Sequence, residues 1–421
     1  MERPACPPAE NTGLNPSMDY RVVLGHPFGN ENVRQALLAL QNEGALEAFV
    51  TTVCAEHFPL AFLLPPLLRR EVERRSFKCL DPRQIRSHPL LEALRILGSR
   101  LPGIASLMPT ADDVYHSFNK HLAVEMRRSK SQNLAVYTYD YCAYVTFSVL
   151  PNVPKFYELP IGYSRAGLAL LAEECVINPE WAATITGLAD SEEKLERKDV
   201  ELELADRIIV PSEFVKSTLP MKWEAKTTIV EYGCPPPALE THWEGSESGP
   251  LKVLFCGSLS QRKGISYLFD AARRMGRRIE LTVIGSEVAP CDAVRRSLAG
   301  VTWHRSLTHA EVLEIMRTQD VFVFPTLFEG RALVVLEALS QGLPVITTAN
   351  SGATDAVIHG GSGFVVPIRS TDAIVDCLEK LDADRSLLKN MKAEALAIAS
   401  TITWASYRRK LIAALALHTA S

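Results

Sequence analysis

Residues Val321 to Val345 read VFVFPTLFEGRALVVLEALSQGLPV. The opening Val-Phe-Val-Phe has no polar alternation, the pattern of a strand buried on both faces. Pro325 ends it, and a loop carries Glu329 and Gly330. Ala332–Gln341 reads as a helix, Gly342 and Pro344 stop it, and a second strand opens at Val345. Strand, loop, helix and strand make a parallel βαβ unit. In an open parallel sheet, ligands bind at the loops leaving the carboxyl ends of strands. The helix that follows points its amino terminus at that place, so the N–H groups near Arg331, Ala332 and Leu333 are expected to receive a phosphate. Glu329 on the loop and Glu337 two turns into the helix reach a ligand held there. Carboxylates beside phosphates suit hydroxyl-rich groups, a sugar or a ribose. Two isolated glutamates would be a helix start and a solvated face; the flanking Pro, Gly and apolar pattern favours a site.

The same grammar extends outward. Strand-like runs at Lys252–Cys256, Glu280–Ile284, Val301–Trp303, Val321–Pro325, Val345–Thr348 and Gly363–Val366 alternate with helical ones at Ile265–Met275, His309–Arg317, Ala332–Gln341 and Ala353–His359. Upstream, strands are predicted at Tyr20–Leu24, Phe49–Val53, Asp113–Tyr115, Leu134–Tyr137, Lys155–Leu159, Arg207–Val210 and Thr228–Val230, with helices such as Asn32–Glu43, His88–Ser99 and Ser191–Ala205. A stretch rich in Pro, Gly, Ser and acids runs from Pro235 to Pro250 between the two alternations. The expected architecture is α/β: two Rossmann-like domains facing each other across a cleft. Residues 1–18 are expected to be a disordered tail, 19–240 the first domain, 241–250 a linker and 251–402 the second domain. Trp404, Tyr407, Leu411 and Leu415 share one face of a closing helix, and 403–421 is expected to pack back towards the first domain.

Composition narrows the function. A chain of 421 residues suits two domains, and 47% hydrophobic with 22% charged residues excludes a mostly disordered chain. Mean hydropathy is +0.03 and the pI near 6.2. A net charge of −4 disfavours general nucleic-acid binding. The nine cysteines form no C-x-x-C and no Cys/His pair at zinc spacing, which points to reduced thiols in a cytoplasmic setting and no metal site. Met1–Ser17 has no apolar core and does not read as a signal peptide. The longest apolar run, Phe58–Leu68, is broken at Pro65–Pro66 and falls short of the roughly 20 residues of a membrane helix.

A second candidate loop, Phe255-Cys256-Gly257-Ser258-Leu259-Ser260-Gln261-Arg262-Lys263-Gly264, lies between a strand and a helix. Small residues followed by a guanidinium and an ammonium make a diphosphate cradle. The spacing is neither G-x-x-x-x-G-K-[ST] nor G-x-G-x-x-G, which disfavours a P-loop NTPase and a dinucleotide-dependent dehydrogenase. A third loop, Gly25 to Asn30, follows the first strand, and its Gly29 is expected to approach the ligand from the opposite domain.

Together these segments resemble glycosyltransferase family 4, a group of retaining enzymes of the GT-B fold. The matching residues are Glu329 and Glu337 in the E-x7-E pattern, Lys263–Gly264 after the first strand of the donor domain, and the turns at Asn350–Ala353 and Gly360–Phe364. The resemblance runs from about residue 205 to 405. It implies a UDP- or GDP-linked sugar held mainly by the second domain, with Glu329 at the transferred sugar and Glu337 on the ribose. Arg262 and Lys263 would neutralise the leaving diphosphate, with no metal and no cofactor required. Gly257, Ser258, Gly330, Arg331, Ala332 and Leu333 complete the implied donor site. Two departures stand out: Ser258 replaces the family's Arg, and Arg331–Ala332 replace its Phe-Gly.

The acceptor side matches only diffusely. His116, Asp140 and Glu158, each expected at a strand end, are the acceptor-side candidates. Residues 60–75 join an apolar run to four arginines and two glutamates, a composition suited to the cytoplasmic face of a membrane as well as to ordinary helices. The expected function is transfer of a sugar to a glycan or lipid-linked acceptor in cell-surface polysaccharide synthesis, by a cytoplasmic or peripheral membrane protein. Alternatives are a sugar-nucleotide epimerase of the same fold and a degenerate nucleotide-sugar-binding or partner-binding protein. The sole Asp-x-Asp, Asp382-Ala383-Asp384, lies in a charged helical stretch and does not mark a metal-dependent transferase.

Overall fold

A computed structural model describes residues 18–58, 65–98, 107–186, 190–238 and 249–416. Residues 1–17 of the expected tail, 241–248 of the expected linker and 417–421 lie outside the described residues.

The first sheet is built from β1 (Arg21–Gly25), β2 (Leu46–Thr51), β3 (Ile85–Ser87), β4 (Leu134–Tyr139), β5 (Lys155–Glu158), β6 (Arg207–Val210) and β7 (Thr227–Ile229). The second contains β8 (Leu251–Cys256), β9 (Ile279–Ile284), β10 (Thr302–His304), β11 (Val321–Phe324), β12 (Val345–Thr348) and β13 (Gly363–Val366). Their orders are β3-β2-β1-β4-β5-β6-β7 and β10-β9-β8-β11-β12-β13, and all the strand pairs are parallel. Each order reverses direction once, between β1 and β4 and between β8 and β11. Those are the places where loops diverge and leave a crevice. Val321–Phe324 are fully buried, as an unbroken apolar strand between two helical layers must be.

The chain crosses between the domains twice, and the crossings lie side by side. Cys234 N donates to Ile402 O at 3.0 Å, and Cys234 bridges Thr403 in parallel. The closing helix Trp404–Ala416 then packs on the helix Glu31–Asn42 of the first domain. Arg408 donates to Gln35 Oε1 at 2.6 Å, and Tyr20 hydroxyl donates to Leu415 O.

Three elements differ from the sequence expectation. Asp113–Tyr115 is not a strand but the first turns of the helix Ala111–Arg128. Thr110 Oγ1 accepts from Asp113 N, and the Asp113 carboxylate accepts from Thr110 N, a capping box that starts a helix. Ala353–His359 is a run of turns rather than a helix. Ser362 Oγ competes for its backbone, accepting from Ile358 N at 2.9 Å and donating to Ala356 O at 3.1 Å. The edge strand β3 was not anticipated; of its three residues only Ile85 is buried.

Candidate active site

At the β8/β11 reversal the two candidate loops meet. Gly264 has φ +68°, and a Cβ there would collide with the Pro325 carbonyl, so only glycine lets the loops approach. Arg262 O accepts Leu327 N at 2.9 Å and Thr326 Oγ1 at 3.1 Å. Past this backbone seam the side chains converge. Arg262 Nη1 donates to Glu329 Oε1 at 2.9 Å and to Phe328 O at 2.8 Å. The Lys263 ammonium donates to the same Oε1 and lies 5.0 Å above the Phe324 ring. Burial draws Lys263 below the usual lysine range, against the pull of Glu329. With both cations protonated, one carboxylate faces two positive charges, and the surplus favours a further anion.

Glu337 is 20% exposed and meets His309 Nε2 at 3.0 Å. It lies close to the end of β8: burial, helped by the Glu337 charge, pushes the Cys256 thiol up to about 12. Trp303 Nε1 donates to Gly285 O at 2.9 Å beside the loop that starts at Gly257, whose N–H donates to Ile284 O. Ser258 is half-buried in that loop and its carbonyl accepts Ser260 N.

Two expectations for the helix start are corrected. The Ala332 amide is taken by Ser351 O at 2.9 Å and does not await a phosphate. Of the first-turn donors, Leu333 and Val334 are left without a helical acceptor. Arg331 adds no cation to the cradle. Its side chain is 1% exposed; it grips both Asp355 oxygens, at 2.6 and 2.8 Å, and also reaches Tyr232 O and Gly352 O. A carboxylate half in solvent and two carbonyls satisfy it away from the loops. Gly330 borders the first domain instead: a Cβ there would collide with Pro160 O, and Ser212 Oγ donates to Gly330 O at 2.7 Å.

Residues 240–397 match the family described as Glycosyl transferases group 1. The match covers less than half of the chain and most of its second domain. The D-inositol 3-phosphate glycosyltransferase of Arthrobacter sp. (strain FB24) is 30% identical over 172 residues, 38% of this chain and 41% of that protein. The capsular polysaccharide biosynthesis glycosyltransferase CapM of Staphylococcus aureus is 32% identical over 140 residues, 32% of this chain and 37% of its own. The alignments thus span about two-fifths of these curated relatives. Likeness of fold extends further. A sucrose-phosphate synthase structure from Thermosynechococcus elongatus has a TM-score of 0.65 at 17% identity, covering 92% of this chain and 96% of that one. Anabaena HepE in complex with UDP-glucose has a TM-score of 0.58 at 13% identity, covering 93% and 98%. The fold is GT-B: two Rossmann-like domains facing across a cleft.

The matched stretch contains Arg262, Lys263, Glu329 and Glu337, while the acceptor-side candidates fall outside it. His116 sits not at a strand end but on the helix Ala111–Arg128, half-buried, against the Arg197 guanidinium and Tyr141. Asp140 does follow β4, and its carboxylate accepts Tyr157 hydroxyl at 2.7 Å and pairs with Lys198 at 3.1 Å. Glu158 is fully enclosed in its own domain. Tyr232 hydroxyl at 2.5 Å, Asn32 at 3.1 Å and Tyr137 occupy its carboxylate, and burial raises its pKa. Placing Glu158 at the acceptor is therefore corrected: it is a core carboxylate. Gly29 lies against Phe77 of its own domain, not against the opposite loops.

Residues 60–64 of the expected membrane segment 60–75 lie outside the described residues. Of its arginines, Arg69 pairs with Glu73, Arg74 with Glu71, and Arg75 with Glu71 and the buried Glu92. Among the described residues no helix is long and apolar enough to cross a membrane. Reasoning from sequence missed His309, whose partner is 28 positions away, and Gln261, whose importance rests on contacts with the first domain.

Proposed function

We propose that this chain is a retaining glycosyltransferase that moves a sugar from a UDP- or GDP-linked donor to a glycan or lipid-linked acceptor. The observation that carries the reading is the single carboxylate Glu329 held by two cations, Arg262 and Lys263, at the β8/β11 reversal. On donor binding both cations turn part of their hydrogen bonding to the diphosphate, and Glu329 is released towards the sugar. When the C1–oxygen bond breaks, its electron pair stays on the diphosphate oxygen, where the two cations stabilise it without a metal ion. The acceptor oxygen bonds to C1 on the face the diphosphate leaves and its proton passes to the departing phosphate, so configuration is kept. Glu337 accepts from the ribose hydroxyls. Capsule synthesis in the CapM relative supports a role in cell-surface polysaccharide, on the cytoplasmic face of a membrane.

A thermal-shift panel of nucleotide sugars, with and without EDTA, tests this reading. A ligand at a hundred times its Kd adds about 2.7 kcal/mol. Stabilisation by one UDP- or GDP-sugar, indifferent to EDTA and lost in Lys263→Ala, is the expected result. No shift with any nucleotide sugar would overturn it.

A further inference from the structure

The helix Ser164–Ile177 and the turn Pro179–Thr184 follow β5 and so belong to the first domain by sequence, yet they grip the second. Trp181 stacks on Phe269 at 6.0 Å and is buried in the second domain's core. Arg296 pairs with Glu180 at 2.8 Å.

Two residues of this segment hold the cation-bearing loop itself. Thr184 Oγ1 accepts Gln261 N at 2.8 Å, and Thr184 O accepts Ser260 Oγ at 2.7 Å. Glu174 Oε1 accepts Gln261 Nε2 at 2.7 Å, together with Tyr267 hydroxyl at 2.8 Å and Asn178 Nδ2 at 2.6 Å. Its other oxygen takes Arg369 Nε at 2.7 Å. Glu174, Thr184 and Gln261 are fully buried. Arg369 has φ +61°, one of two non-glycine residues at positive φ among those described. Such a conformation persists where its surroundings hold it, and here Glu174, Glu173 and Leu170 O do so.

We infer that Thr184 and Glu174 are positioning residues. From the first domain they fix the backbone and side chain of Gln261, and through it the adjoining Arg262 and Lys263. The second domain's cradle therefore takes its working shape only while the first domain's clasp is seated. The catalytic consequence rests on the donor reading above; the order of the loop does not. A small displacement of the two cations from a developing charge costs rate steeply.

The test uses the full chain. Thr184→Val keeps the shape and removes the acceptor for Gln261 N–H; Thr184→Ser restores it. Amide hydrogen exchange across residues 258–264, without nucleotide, is expected to rise at least tenfold in Thr184→Val and to return to the wild-type rate in Thr184→Ser. Glu174→Gln, which breaks the pairing with Arg369, is expected to loosen the same loop if Thr184→Val folds poorly. With a nucleotide sugar as substrate, kcat falls about tenfold in Thr184→Val with KM little changed, and Thr184→Ser recovers it. Unchanged exchange in both the Val and Gln variants would overturn the inference, as would failure of Ser to restore protection. A loop loosened in Thr184→Val and restored in Thr184→Ser, with no turnover of any nucleotide sugar by the wild type, would sink the donor reading and leave this one standing.

Discussion

Arg331 holds both carboxylate oxygens of Asp355, at 2.6 and 2.8 Å, while Glu329, two residues earlier on the same loop, holds Arg262 and Lys263. The loop is thereby pinned at one end by a structural ion pair and at the other by Glu329 with Arg262 and Lys263. Arg262 and Arg331 thus have different work, and mutation separates them. Asp355→Ala leaves an enclosed guanidinium without its carboxylate. Because Asp355 itself is 50% exposed, the loss is about 1–3 kcal/mol rather than the larger cost of a fully buried pair. Denaturant titration should read that loss while nucleotide-sugar affinity in the folded protein stays unchanged. A selective loss of affinity with normal stability would return Arg331 to the ligand.

Glu329→Gln keeps the shape of the side chain and removes its charge. Arg262 and Lys263 are then free of their carboxylate, so UDP or GDP should bind at least as tightly as in the wild type. Turnover should fall by a factor of about 100 or more, the scale of losing one group aimed at the reacting centre. Isothermal titration with the nucleotide and a transfer assay make the comparison; weaker nucleotide binding with near-normal kcat would contradict it.

Gly330→Ala probes the meeting of the domains. The added methyl group collides with Pro160 O, a backbone atom at the end of β5 that cannot swing away. The Gly162 N–H to Glu329 O contact of 3.2 Å must lengthen as well. A larger radius of gyration in solution scattering and a lower kcat/KM are expected, with each domain's helical content intact. Scattering identical to wild type would mean that the loop, not the domain pair, absorbs the methyl.

His26 makes stability depend on pH. It is 7% exposed at the end of β1, and burial lowers its pKa to about 4 from 6.5. Its ring meets Tyr139 at 4.8 Å, and its Nδ1 faces both Phe28 N, at 2.9 Å, and the Phe28 carbonyl, whose pull towards the charged form is outweighed by burial. Between pH 6.5 and 4 the unfolded chain binds this proton and the folded one does not, so stability is present above 6.5 and is lost as pH falls towards 4. The full loss from this one group is about 3 kcal/mol. Melts from pH 7 to 4 should show a shallower acid decline in His26→Asn than in wild type. Parallel curves would mean that His26 is charged in the folded protein.

What the sequence could say depended on whether partners lay nearby along it. β11 was legible because Val321–Phe324 is apolar on both faces, and the seam at Gly264 because the neighbouring lysine and the strand before it announced a turn. The helix Ala111–Arg128 could have been read from Thr110 and Asp113 and from the spacing of Val114, Phe118 and Leu122, but Val114–Tyr115 beside a histidine suggested a strand. Arg331 was illegible as a structural cation, since Tyr232 is 99 positions away and Asp355 sits in a stretch expected to be helical. Glu158 looked like a strand-end carboxylate; its enclosure comes from Tyr232 and Asn32, which the fold alone brings to it. Long-range partners decided the misses at Arg331 and Glu158; those at Ala111–Arg128 and Ala353–His359 turned on local hydrogen bonds.

The paired crossings at Cys234 and Thr403 have a mechanical meaning. Two strands of chain bonded side by side behave as a single spine, about which the halves can turn far more easily than they can slide. Torque about that line is resisted by whatever lies off it: Phe328 wedged among Phe214, Gly162 and Gly167, and Glu174 bound to Arg369. A substitution at either stop should therefore change the swing of the halves without touching the spine, and one at Gly233, packed directly on the Trp404 backbone, should jam the spine itself.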